Sequence, residues 1–288
     1  MNRIDLPTGR LEAAWWGARP EAAPTLVLLH EGLGSVGLWR DFPARLAAAT
    51  GCGVLAYSRF GYGRSDSVAL PRPLDYMRRE ALEVLPGVLD AAGVARVVLV
   101  GHSDGASIAA IHAGRVADPR VRGLVLMAPH FFVEDVCLAS IAAIRREYDA
   151  GLRARLARHH ADVDAAFLGW AGAWLDPGFP AAFDLSAEVA RIRVPMLILQ
   201  GEHDPYGTVA HARLAERLAP GDVRTVLLAA RHTPHVEARE EVVAEIARFV
   251  ARVTQLPAPR PPPARGGEEE GKAPSPCGRG LGEGLRSR

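Results

Sequence analysis

Ser103, Asp204 and His232 carry side chains that together can attack a carbonyl carbon, move the proton and steady the charge that results. Ser103 lies in Gly101-His102-Ser103-Asp104-Gly105, directly after the apolar run Val97-Val98-Leu99-Val100 and directly before Ala106-Ser107-Ile108-Ala109-Ala110-Ile111. Strand, Gly-x-Ser-x-Gly turn and helix in that order is the sequence form of a nucleophile elbow, in which flanking glycines allow a tight turn and leave the serine strained and exposed at the sheet edge. Such a short pattern also arises by chance, so a base and an acid further along the chain must support it. Pro195 to Gln200 reads as a short buried strand that stops at Gly201-Glu202-His203-Asp204-Pro205, which puts Asp204 at a strand's carboxyl end. Val223 to Leu228 is the next strand, and Arg231-His232-Thr233-Pro234-His235 is the loop after it. Nucleophile, acid and base therefore succeed one another, each just past a strand. A serine activated by an oriented histidine needs these residue types.

The order Ser, Asp, His, with all three at strand ends, resembles that of the α/β-hydrolase superfamily, and the resemblance runs from about Leu11 to Val253. Two further segments are similar to that family. Thr25-Leu26-Val27-Leu28-Leu29-His30 followed by Glu31-Gly32-Leu33-Gly34-Ser35 looks like its strand and oxyanion loop, and Ser58-Arg59-Phe60-Gly61-Tyr62-Gly63-Arg64-Ser65-Asp66 looks like its Gly-x-Gly-x-Ser turn. The resemblance implies an oxyanion hole made by the Gly32 or Leu33 amide together with the Asp104 amide. It also selects His232 rather than His235 as the base, because relatives end this loop in Gly-His-x-Pro-His with the first histidine catalytic. The fold it implies is α/β, a mostly parallel sheet with helices on both faces and an inserted helical cap.

Two departures bear on the substrate. The family's loop usually begins His-Gly, whereas here Glu31 intervenes, either pinning the loop through backbone hydrogen bonds or offering a polar group to the substrate. Asp104 stands where most relatives carry Met, Leu or Gln. An anion there favours a cationic substrate group and disfavours a carboxylate, while the bland alternative is that Asp104 caps the helix that starts with it. Ser-Asp at the elbow and Leu-Gly-Ser in the loop are similar to the valacyclovir-hydrolase (biphenyl-hydrolase-like) branch, which implies an α-amino-acid ester whose amino group Asp104 would hold.

Residues 128–194 lie between two core strands and read as helical. Val136 to Ala150 and Leu152 to Ala161 are amphipathic, and Phe167, Trp170 and Trp174 fall on one helix face. That face packs the insertion on the core or lines an acyl pocket, so Trp170 and Trp174 join Asp104 and Glu31 as candidate substrate-binding residues. Asp176-Pro177-Gly178 and Pro180 read as the helix's end. The organisation expected is a hydrolase core in two pieces, 1–129 and 193–255, a cap at 130–192, and a disordered tail at 256–288, where Pro, Gly, Arg and Glu replace large apolar residues. Leu11 to Trp16 is expected as the edge strand.

A net charge of +1 gives no reason to invoke nucleic acid or a membrane surface. Cys52, Cys137 and Cys277 are far apart and fit reduced thiols, and no apolar leader or spanning stretch is evident, so the expected location is the cytoplasm. His232-x-x-His235 lacks partners for a zinc pattern, so no metal is expected, and triad chemistry asks for no cofactor. Of the other histidines, His102 reads as structural, and His112, His130, His159, His160, His203 and His211 show no constellation. The expected partner is a small-molecule substrate, with homo-oligomerisation left open. The expected reaction is hydrolysis of a carboxylic ester, thioester or lactone of a small hydrophobic or aromatic acid. A carbon-carbon bond hydrolase of ring-cleavage products is the variant, though that branch often carries Trp where Thr233 stands. A ligand-binding relative without activity is the alternative of another class, and a dehalogenase would need a carboxylate at position 103.

Overall fold

Runs of Val, Leu and Ile too short for helices and too apolar for edge strands form the centre of the sheet, as parallel strands buried on both faces require. The computed structural model describes residues 3–255. Its strands are β1 (Arg3–Leu6), β2 (Gly9–Trp16), β3 (Thr25–Leu29), β4 (Gly53–Tyr57), β5 (Val97–His102), β6 (Val121–Met127), β7 (Met196–Gly201) and β8 (Val223–Leu228). They form one sheet of order β1-β2-β4-β3-β5-β6-β7-β8. β2 runs antiparallel to β1 and β4, and every pairing from β4 to β8 is parallel.

Every residue of β5 is buried, and alternation assigns its side chains to two cores. Val97 and Leu99 join the cluster that holds Ile108, Ile111, Phe167 and Trp174, whereas Val98 and Val100 join Leu46, Ile246, Phe249 and Val250. One face is thus covered by the elbow helix Asp104–Arg115 and the insertion, the other by Phe42–Thr50 and the last helix, Arg239–Gln255. Because the central strands are parallel, the loops after β3, β5, β7 and β8 emerge at one end of the sheet. Ligands of open α/β sheets bind at that end.

Three sequence expectations change. Leu11 to Trp16 is not the edge: β1 covers it, with Ile4 buried between exposed Arg3 and Asp5, a short charged strand suited to an open edge. The stretch from Val136 to Ala150 is not one helix, since Asp135–Arg146 is followed by a turn and Gly151 at φ 119° breaks the chain before Leu152–Leu156. Pro180 opens a helix, Phe179–Ala182, as well as following a break, because proline is tolerated in a first turn. The tail at 256–288, with Cys277, lies outside the described residues. Among the described residues no helix is long and apolar enough to cross a membrane.

Candidate active site

Ser103 has φ 52° and ψ −118°, a conformation that L-residues avoid, and its amide is held by the Met127 carbonyl at 2.9 Å. The two glycines are needed for contact. A Cβ on Gly105 would collide with the Leu29 carbonyl, and one on Gly101 with the Gly105 carbonyl, so the elbow helix sits closer to the sheet than any other residue type permits. Asp204, after β7, accepts from Gln200 Nε2 (3.0 Å) and the Tyr206 amide (2.8 Å). Both of its oxygens lie 2.9 Å from His232 Nδ1. Burial would raise the Asp204 pKa, but the His232 ring and the Tyr206 amide outweigh it, and the carboxyl titrates below its usual range. An ionised acid on Nδ1 requires the proton there, leaving Nε2 as the basic nitrogen. His102, one residue before Ser103, donates from Nε2 to the His232 carbonyl at 2.7 Å, tying the His232 loop to the turn that carries Ser103.

The loop after β3 is held by charge. Arg59, 2% exposed, donates from Nη1 to the His30 carbonyl and from Nη2 to the Glu31 carbonyl at 3.0 Å. Its amide donates to His30 Nε2 at 3.0 Å, which leaves the His30 proton on Nδ1 to meet the Glu31 carbonyl at 2.7 Å. His160, from the insertion, accepts from the Gly63 amide at 3.0 Å and donates to the Leu33 carbonyl at 2.9 Å. The Glu31 carboxylate turns inward toward His102 Nδ1, 3.7 Å away, and fills the space over Gly34. Burial opposes its ionisation, yet the His102, His30 and His235 rings lower its pKa overall.

The sequence profile of the alpha/beta hydrolase family matches residues 26–245. The chain belongs to that family. Solved structures give the same fold. The enol-lactonase from Burkholderia xenovorans LB400 superposes with a TM-score of 0.66 at 22% identity, covering 86% of this chain and 99% of that one. The esterase RhEst1 from Rhodococcus sp. ECU1013 does so at 0.64 and 22%, covering 88% and 98%. The proline iminopeptidase of Mycobacterium smegmatis gives 0.62 and 21%, covering 87% and 97%.

In this alpha/beta hydrolase Asp104 is 1% exposed and does not cap its helix. Its Oδ2 accepts from the Tyr76 hydroxyl at 2.5 Å and lies 3.7 Å from Arg59 Nη2, while Oδ1 accepts from Trp174 Nε1 at 3.3 Å. Burial raises its pKa against the pull of Arg59, Tyr76, Trp174 and Trp170. Trp174 is 1% exposed, and its indole N–H also lies 3.1 Å from the Tyr76 hydroxyl, so it braces the Tyr76–Asp104 pair. Trp170 lies directly against Gly32, where a Cβ would strike its indole, and among the described residues its Nε1 makes no well-aligned hydrogen bond.

His130 and His211, for which the sequence shows no constellation, are buried in the core, and there His130 packs toward His232. His130 is 5.8 Å from the His232 ring and 5.3 Å from that of His211, and Tyr206 lies 4.6 Å from His232 on another side. His211 Nε2 is 2.9 Å from Glu134, the residue that leads into the first inserted helix. His235 packs between Trp39 and Phe42 at 5.0 and 5.2 Å. No local spacing announces His130 or Tyr206; the one available signal is that both come soon after predicted strands, which end at the same edge as the triad.

Proposed function

We propose that the protein is a serine hydrolase that cleaves a carboxylic ester, or a thioester or lactone, of a small hydrophobic or aromatic acid through a Ser103 acyl-enzyme. The observation that carries this reading is His232 Nδ1 at 2.9 Å from both oxygens of Asp204, on a loop that His102 ties to the strained turn carrying Ser103. His232 Nε2 takes the Ser103 proton as Oγ attacks the acyl carbon, and Asp204 stabilises the imidazolium. The Asp104 amide and the Gly32 or Leu33 amide receive the oxyanion, a contribution of about 10²- to 10³-fold per donor in comparable enzymes. His232 returns the proton to the leaving alcohol, then activates water against the acyl-enzyme. Residues 130–192 serve as the cap, with the Trp170 indole against the acyl chain.

An ester without a free amino group is favoured over an α-amino ester, because the Asp104 carboxylate already has Tyr76, Trp174 and Arg59 as partners. A lactonase and an esterase among proteins of this fold agree with ester chemistry in general. The test is labelling by a fluorophosphonate probe together with turnover of p-nitrophenyl butyrate. Wild type should label at Ser103, and Ser103→Ala should lose both labelling and turnover; retained turnover in Ser103→Ala sinks the assignment.

A further inference from the structure

Triad chemistry does not explain why a buried arginine stands between the oxyanion loop and the elbow. Buried charges carry a large desolvation cost unless paired, so the partners of Arg59 are informative. Three donors converge on the Glu31 carbonyl: Arg59 Nη2 at 3.0 Å, His30 Nδ1 at 2.7 Å and the Gly34 amide at 3.1 Å. That carbonyl belongs to the peptide whose N–H is the Gly32 amide. A peptide whose oxygen accepts several bonds, one of them charge-assisted, is polarised, and its N–H becomes a stronger donor.

The same Nη2 lies 3.7 Å from Asp104 Oδ2. Asp104 supplies the second candidate oxyanion amide, so its carboxylate is a buried acidic group on the same residue as that donor. Left unpaired, it would oppose the oxyanion's charge in a low-dielectric site. Glu80 and Arg72 complete the buried set, with Glu80 accepting from Tyr57 at 2.8 Å and Arg72 lying over the Tyr62 ring at 4.5 Å. Arg59 lies against the same ring at 4.9 Å.

We infer that Arg59 is a positioning residue for the oxyanion hole: it polarises the Glu31–Gly32 peptide, fixes the loop against the elbow, and offsets the Asp104 carboxylate. It touches neither substrate nor reacting atoms. The inference rests on the serine-hydrolase reading above, and it predicts a defect in the transition state rather than in substrate binding.

The experiment compares wild type, Arg59→Lys, Arg59→Met, Asp104→Asn and the Arg59→Met/Asp104→Asn double variant. Readouts are kcat and KM on p-nitrophenyl butyrate, the rate of fluorophosphonate inactivation, and the melting curve. Arg59→Met should lower kcat and the inactivation rate by on the order of 10²-fold with KM within about threefold, the size of a lost oxyanion donor. The double variant should recover roughly tenfold of that loss, because the unpaired carboxylate has gone. Arg59→Lys, which keeps the charge but not the fork, should fall between wild type and Arg59→Met. Should Arg59→Met fail to fold, the double variant, which removes both charges of the pair, is compared with Asp104→Asn. A kcat roughly tenfold below Asp104→Asn at unchanged KM supports the role through the polarised peptide, and equal kcat overturns it. A kcat loss matched by a KM rise, or a double variant no better than Arg59→Met, also overturns it. Wild type labelled at Ser103 beside a normal Arg59→Met removes the Arg59 role alone; an unlabelled wild type removes the hydrolase reading first.

Discussion

Asp104 illustrates how far a side chain's neighbours decide its meaning. From its place beside the nucleophile it is either a cap or a counter-charge for a substrate amine, and its actual partners are Tyr76, Trp174 and Arg59. The kinetic expectation is that Asp104→Asn leaves the preference between phenylalanine and 3-phenylpropionate p-nitrophenyl esters unchanged; a preference for the amino ester that disappears in the variant would reinstate the amine-holding role. Ser103 offers a second check, on stability. Glycine normally costs about 0.5 to 1 kcal/mol relative to alanine through the unfolded chain, but at φ 52° it also relieves strain of about 1 to 3 kcal/mol. Ser103→Gly should therefore be at least as stable as Ser103→Ala in urea unfolding, and a deficit of a full glycine penalty would mean the elbow is unstrained. The candidate triad was legible because glycines, strand ends and chain order are local signals. Arg59 and Asp104 were not, since nothing in either segment specifies that their loops meet.

The inserted helices act on the site through a few anchors. Glu134 accepts from the Thr208 amide and hydroxyl, each at 2.8 Å, and the Ser140 hydroxyl donates to the Pro205 carbonyl at 2.6 Å, so the first inserted helix is fastened to the loop that carries Asp204. The helix Val163–Trp174 is capped by Asp162, whose Oδ1 accepts from the Ala165 amide at 2.9 Å, and it delivers Phe167, Trp170 and Trp174 on one buried face. That shared face was readable from spacings of three and four. Which indole braces Asp104 and which lies on Gly32 was not, because it depends on how the helix is set down on the core. Asp162→Ala should cost about 1 kcal/mol, as N-cap losses do. The loss should appear as a raised KM for p-nitrophenyl butyrate with kcat nearly kept, because it loosens the face over the site and leaves the triad intact. A fall confined to kcat would mean that this helix orders the elbow instead.

The molecule concentrates its buried polarity at one end of the sheet, and this has a consequence for its behaviour in acid. His30, His130, His160 and His235 are all at most 6% exposed. Burial is the main cause that lowers each of their pKa values, with His235 brought down to about 3 between Trp39, Phe42 and His102. These histidines are held neutral when folded and bind a proton near pH 6.5 when unfolded. Their contribution is whole above about pH 6.5 and is lost as pH falls, each by up to about 1.4 kcal/mol per pH unit until its folded pKa is reached. Glu134, brought down to about 2 because His211 and Thr208 outweigh burial, adds a loss of the same sign below the ordinary glutamate range. Asp104 and Glu80, raised by burial, work in the opposite sense. The steepest fall in stability should therefore begin near pH 6.5, above the carboxylate range. His235→Asn isolates one histidine: burial, then His102, His232 and Arg239, oppose its charge, while Glu31 favours it. The variant should be less stable at pH 7.5 through lost packing, yet its further loss between pH 7.5 and 5.5 should be smaller than that of wild type by about 1.4 kcal/mol. An unchanged difference in urea midpoints between the two pH values would mean that His235 takes up its proton in the folded protein, and that the aromatic pocket around it admits the charge.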